Sequence, residues 1–265
     1  MLDYGFMQRA LVAAVLIGTV CGVLGFFVVL RRLAFIGVGI SHSAIGGVAL
    51  GLLLGVNPLA SGALFAVAVG LGIAAVGRRG VVGQDAVIGV FFSGAMALGV
   101  VLFSLRRGYQ QDLFGYLFGN VLAVSAGELV ALALLGAGIL AATAATFHQQ
   151  LFVAFDEEIA RAYGHRVGGL DTLLLVLLAA TVMVGVRLVG VLLIEALLVV
   201  PAAAAGLWAT HYRSQLLLST GLAVGCGLVG LVAAYVLDLA AGGTIALVAV
   251  AVFFLSVLVR PREAA

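Results

Sequence analysis

His42 and Glu195 each stand inside a long apolar run, where an imidazole or a carboxylate is costly unless it meets water, a partner or an ion. His42 lies in GVGISHSAIGGVALG, and Glu195 lies in VGVLLIEALLVVPAAAA, six residues before Pro201. An imidazole and a carboxylate form a borderline-soft donor pair suited to zinc, manganese or ferrous iron. Neither residue belongs to a HExxH or CxxC spacing, so the metal reading rests on placement rather than on a motif. A lone buried histidine also packs against backbone or serine with no ligand at all. A lone glutamate is harder to dismiss, because desolvation opposes its charge until something pairs with it. Pro201 has no N–H to donate to the carbonyl of Leu197, which predicts a broken helix beside a polar cavity. Asp238, at the end of a later run, and Asp112, in a loop, complete the acidic candidates.

The elements that must position these groups are membrane spans. Of 265 residues, 65% are hydrophobic and 9% charged, whereas soluble domains run at roughly 45–50% and about 25%. All 13 basic residues are arginine, so the lysine that a P-loop needs is missing and any ATP-driven work falls to a partner. The net charge of +2 gives no case for nucleic acid. Cys21 and Cys226 sit within apolar runs and read as small hydrophobes.

Apolar runs predict nine helices, near 10–30, 33–55, 58–77, 86–105, 127–147, 170–187, 189–208, 214–236 and 244–259. The sixth and seventh nearly fuse. A tight reversal at Gly185, Arg187 and Gly190 separates them, and without it the count is eight. The short run 112–125 reads as re-entrant or interfacial. The segment from Met1 to Arg9 leads directly into a run of full spanning length, which argues for a first span over a cleaved leader. Alternating the spans with Arg31 and Arg32 in the cytoplasm puts Arg78, Arg79, Arg161, Arg166, Arg213, Arg260 and Arg262 there too. Arg9, Arg106, Arg107 and Arg187 fall outside, and this excess of inner arginine favours an external N-terminus. Gly18/Gly22/Gly25 and Gly46/Gly47/Gly51/Gly55 are spaced for close helix packing, within one bundle before any dimer seam.

On the cytoplasmic side, FDEEIARAYGHRVGG predicts a short amphipathic helix near 155–168. Asp156 suits the N-cap, Glu157 and Glu158 the positive first turn, and Gly164 the stop. It reads as a solvated loop helix or as a docking knob for a cytoplasmic protein.

Together these stretches resemble the membrane permease subunit of ABC importers for zinc and manganese, over nearly the full length. The likeness is carried by RRLAFIGVGISHSAIGGVALGLLLGVNP, GQDAVIGVFFSGAMALG, DLFGYLFGNVLAVS, VGVLLIEALLVVPAAAA and the helix DEEIARAYG. The resemblance implies a single all-α polytopic domain over 1–265, of about eight or nine transmembrane helices, like type II ABC importer permeases. It implies a plasma-membrane protein, the inner membrane in bacteria, that is not itself an enzyme and holds no cofactor. It also implies a homodimer or paired permease surrounded by lipid, two ATPase subunits that bind the ATP, and an extracytoplasmic metal-binding protein. Asp156, Glu157, Ala160, Ala162 and Gly164 would then meet the ATPase, while His42 and Glu195 would contact the divalent ion in transit.

One position departs from the family pattern. Where relatives commonly carry an aspartate four residues before the motif histidine, this chain has Val38, so Glu195 is the candidate replacement. Counting from opposite membrane faces places His42 roughly 14 Å above the inner end of its span and Glu195 about 9 Å below the outer end of its own. In a ~30 Å core, that leaves about 7 Å between their depths. A permease for a metal chelate or small cofactor, and a proton-coupled secondary transporter using the two residues as a relay, are the alternatives. A cysteine placed beside Arg79 or Arg213 should be labelled only from the cytoplasm, and one beside Asn57 only from outside. Cytoplasmic labelling of the Asn57 site would reverse the orientation.

Overall fold

A computed structural model describes residues 5–78, 83–105 and 124–259. Nine long helices and one short one are present among them. They are α1 (Gly5–Leu30), α2 (Ala34–Leu54), α3 (Pro58–Gly77), α4 (Gln84–Ser104), α5 (Ala126–Phe155), α6 (Glu157–Ala162), α7 (Val167–Val189), α8 (Val191–Trp208), α9 (Tyr212–Leu237) and α10 (Ala241–Val259). Seven are long and apolar enough to cross a membrane; the apolar stretches of α7 and α8, Val167–Met183 and Leu193–Trp208, are shorter. Gly190, at φ +88°, makes the reversal between α7 and α8, so the two runs are separate helices. Residues 112–123 of the segment expected to be re-entrant, together with Arg79, Arg106, Arg107, Arg260 and Arg262, lie outside the described residues.

The bundle is built around α1 and α2. Their most apolar windows are 67% and 72% buried, against 22% for α4, α5 and α10, whose outer faces are left for lipid or a partner. α1 packs on α9, α8 and α5, and α2 packs on α3, α4, α7 and α8. The glycine rows form these seams inside the chain. A Cβ at Gly22 would come 2.5 Å from the Cα of Thr220 on α9, and one at Gly47 would come 2.5 Å from the Cβ of Phe65 on α3. Backbones approach this closely only where side chains are absent. Gly55, at φ +69°, ends α2 in the left-handed conformation that glycine adopts without a Cβ clash.

The two ends of the bundle are chemically distinct. At one end Arg31, in the α1–α2 turn, forms an ion pair with Asp171 in α7. Beside it the Arg78 guanidinium donates to the Gly168 carbonyl and the Thr172 hydroxyl, each at 3.3 Å. These groups adjoin α6, so Arg31, Arg78, Arg161 and Arg166 gather where an inner face was expected. At the other end Arg9 Nε donates to the Val124 carbonyl at 2.9 Å, and Ser125 and Glu128 form a capping box that starts α5.

Arg31 and Asp171 are 11% and 24% exposed, so removing either strands a largely desolvated charge, at a cost of about 3 kcal/mol. Arg31→Gln and Asp171→Asn should each lower the thermal midpoint of the purified protein in detergent. The double reversal Arg31→Asp/Asp171→Arg should recover most of the loss. Unchanged midpoints in both single variants would show that the pair holds nothing.

Candidate functional site

His42 and Glu195 come together between α2 and α8. His42 Nδ1 lies 2.8 Å from Glu195 Oε1, and the two side chains are 20% and 15% exposed. The same nitrogen lies 3.2 Å from the carbonyl of Val38, one turn earlier in α2. Both neighbours are acceptors, so Nδ1 must carry the hydrogen, and in the neutral ring Nε2 keeps its lone pair. The Ser41 hydroxyl also donates to Glu195 Oε1. The ring of Phe92 on α4 stands edge-on to the imidazole with centroids 5.3 Å apart.

The sequence estimate left these groups about 7 Å apart in depth because it measured from opposite membrane faces. The Arg31–Asp171 pair supplies a common origin. From there, α2 climbs about 16 Å to His42 at 1.5 Å per residue. Climbing α7 to Val189 takes about 27 Å, and descending to Glu195 returns about 9 Å, which leaves the two groups about 2 Å apart in depth. The shallow reversal at Gly190 removes the discrepancy.

A cavity of about 630 Å³ opens beside the pair, between α2, α8 and α10. Its wall includes Phe35, Val38, Glu195, Val199 and Leu247, so the carboxylate is the charged group on an apolar surface. Two expectations need correction. α8 runs unbroken through Pro201, so the site stands beside a continuous helix instead of a broken one. Asp238 takes no part in it: exposed, at φ +52°, it is the left-handed C-cap of α9, a conformation aspartate adopts more readily than most residues. Among the described residues no three His, Cys, Asp or Glu side chains are grouped to hold a metal, so one chain offers an ion two such groups here.

The short helix α6 forms as its residues dictate. The Asp156 side chain accepts from the Ile159 N–H at 2.8 Å, Glu157 pairs with Arg161 at 2.6 Å, and Gly164 at φ +82° follows the end. Of the residues expected to meet an ATPase, Asp156 is half-buried, and Glu157, Ala162 and Gly164 are exposed. Ala160 is fully buried against Val153, Val167 and Leu170, on the face of α6 that seats on the bundle. On a helix this short the face that seats on the bundle cannot also face a partner. Ile159 and Tyr163, which the sequence reading passed over, are exposed apolar groups on α6 and just beyond it. A large apolar side chain between exposed charges was the available signal. Ser41 and Asp171 were passed over too, although each stands next to a residue or segment already singled out.

Seven membrane-length apolar helices in one bundle, with an acid–imidazole pair set between two helices of it, define a polytopic membrane protein. The chain belongs to the ABC 3 transport family, whose model matches residues 3–260, and it is a multi-span translocation subunit. It is 34% identical over 263 residues to the manganese transport system membrane protein MntC of Listeria innocua, covering 99% of this chain and 94% of that one. It is 35% identical over 263 residues to the manganese import system permease protein ScaB of Streptococcus gordonii, covering 98% and 94%. Among solved structures it resembles a chain of PsaBC from Streptococcus pneumoniae in complex with Fab. The TM-score is 0.86 at 34% identity, over 98% of this chain and 94% of that one.

Ala160→Asp would press a charge into the small cluster that seats α6, whereas Ala162→Asp would leave it in solvent. Amide exchange across 157–163 should speed up by about tenfold or more in the first variant, the ratio set by about 1.4 kcal/mol, and change little in the second. Equal exchange in both would mean that the cluster does not hold the helix.

Proposed function

We propose that this chain is the permease of an importer for a divalent transition-metal ion, with manganese the first choice. ATP hydrolysed on two partner subunits would drive transport, and an extracytoplasmic metal-binding protein would deliver the ion. The observation that carries the reading is the His42–Glu195 pair, held at 2.8 Å inside the bundle and beside a cavity. One oxygen and one nitrogen donor suit manganese, iron or zinc. The soft donors Cys21 and Cys226 are buried in α1 and α9 and stay out of the site. The relatives named for manganese transport support manganese over zinc. Membership of an ABC transport family favours ATP-driven transport over the proton-coupled alternative.

Pairing with a second copy across the face of α2, α8 and α10 fits the same geometry. That face carries the cavity, and a two-fold axis there would bring two acid–imidazole pairs toward one path. Four protein donors, with water completing the shell, would offset the dehydration of the ion better than two. α6 supplies the docking surface for each ATPase, with Glu157, Ala162 and Gly164 alongside Ile159 and Tyr163.

Glu195→Gln keeps the shape and removes the charge, so manganese uptake by the assembled transporter should fall at least about tenfold, nearly as far as with His42→Ala. Val38→Asp should restore part of it, because that side chain lines the same cavity as Glu195. Wild-type uptake by Glu195→Gln would remove the carboxylate from the path.

A further inference from the structure

We infer that Ser41 is a positioning residue for the ion path: it fixes one oxygen of Glu195 so that the other is free to meet the cargo. This deepens the reading of His42 and Glu195 as ion contacts and rests on it. Ser41 is fully buried, one residue before His42, and its hydroxyl donates across the helix interface to Glu195 Oε1. Most other hydroxyls in these helices turn back on their own backbone. Ser43 donates to the Gly39 carbonyl, Thr143 to Ile139, Thr181 to Leu177 and Thr220 to Leu216. A carbonyl of that kind is also in reach of Ser41, with the Val38 oxygen at 3.2 Å. One hydroxyl has one hydrogen, and the carboxylate is the stronger acceptor.

Two donors from adjacent residues of α2 therefore converge on the same oxygen, Ser41 Oγ and His42 Nδ1. Oε2 is left over, on a residue that lines the cavity, and so is Nε2 of the imidazole. The α2 turn from Val38 to His42 thus holds the α8 carboxylate by one oxygen and leaves its other oxygen and the imidazole Nε2 without a protein partner among the described residues. Without the Ser41 hydroxyl, only the imidazole restrains the carboxylate. Glu195 could then rotate away or close both oxygens on the ring. Groups that orient a ligand from behind typically matter by about 10–100-fold in metal affinity or activity.

The test uses the permease assembled with its ATPase and binding protein in lipid vesicles, with radioactive manganese(II) as the probe. Ser41→Ala, which removes one buried oxygen and adds no bulk, should lower uptake about tenfold. Assembly, thermal midpoint and ATP hydrolysis should stay as in the wild type. In a Glu195→Ala background, where there is no carboxylate to hold, adding Ser41→Ala should change the remaining uptake less than about twofold, within the ordinary scatter of additive effects. Losses that multiply would show that Ser41 acts independently of Glu195 and overturn the inference. So would a lowered midpoint in Ser41→Ala, which marks a packing role. Wild-type uptake by Ser41→Ala with a crippled Glu195→Gln overturns the inference alone. Wild-type uptake by Glu195→Gln overturns the ion path itself, and the inference with it.

Discussion

Hydrocarbon does not solvate charge, and the bundle is arranged around that constraint. Two acid–base pairs carry polar groups into it, His42 with Glu195 between α2 and α8 and Arg31 with Asp171 toward the end that carries α6. Both involve α2 or the turn that leads into it, and each reaches a different partner, α8 for the first and α7 for the second. On its other side α2 presents Gly46, Gly47 and Gly51 to α3 and α4. A helix gripped by directional contacts on one face and by bare backbone on the other has little freedom to rotate or slide. Its position is set by charge, and its closeness to neighbours is set by glycine.

The same grip lies between α6 and the His42–Glu195 pair. α6 leads directly into α7, whose first turns are held by Arg31 and Arg78. Arg31 stands just before α2, and the next fixed group along α2 is the Ser41–His42 turn. A chain of packing and charge-assisted bonds therefore runs from α6, through the short 163–166 turn and α7, to the turn that precedes α2. Ala160 strengthens this path, because its buried methyl seats α6 on Val153, Val167 and Leu170. Ile159 and Tyr163 remain outward for whatever moves it.

The positions of the apolar helices, the α7–α8 reversal and the caps of α6 were legible in the sequence because each depends on local chemistry, although seven of the nine expected spans are of membrane-crossing length among the described residues. Apolar length marks α1 through α5, Gly190 supplies the positive φ, and Asp156 and Gly164 bound the short helix. His42 and Glu195 were legible as exceptions to apolar surroundings. What escaped was relational. The inward turn of Ala160 depends on which face of α6 meets α7, and Pro201 breaks nothing because α8 stays helical around it. The partners of Arg31 and of Ser41 lie 140 and 154 residues away, beyond any periodic pattern. Depth was misjudged for the same reason: membrane faces are poor rulers when helices tilt, whereas one ion pair fixes a level on two helices at once.

Val38 illustrates the consequence of moving an acid between helices. An aspartate at that position would share α2 with His42, and the two would keep their spacing however the helices moved. With Val38 there, the α2 backbone still serves the imidazole through the Val38 carbonyl, but the acidic oxygen comes from α8. The donor set now spans a helix interface. A shift of about 1–2 Å between α2 and α8, the scale of ordinary helix movements in switching proteins, would separate the carboxylate from the ring and from Ser41. Relative movement of helices is also how a permease must alternate its access. On the reading proposed for His42 and Glu195, a carboxylate carried by α8 ties ion binding to the conformation of the bundle. On that same reading, parting of α2 and α8 would break the Ser41 and His42 contacts to Glu195 together, with no change in any side chain.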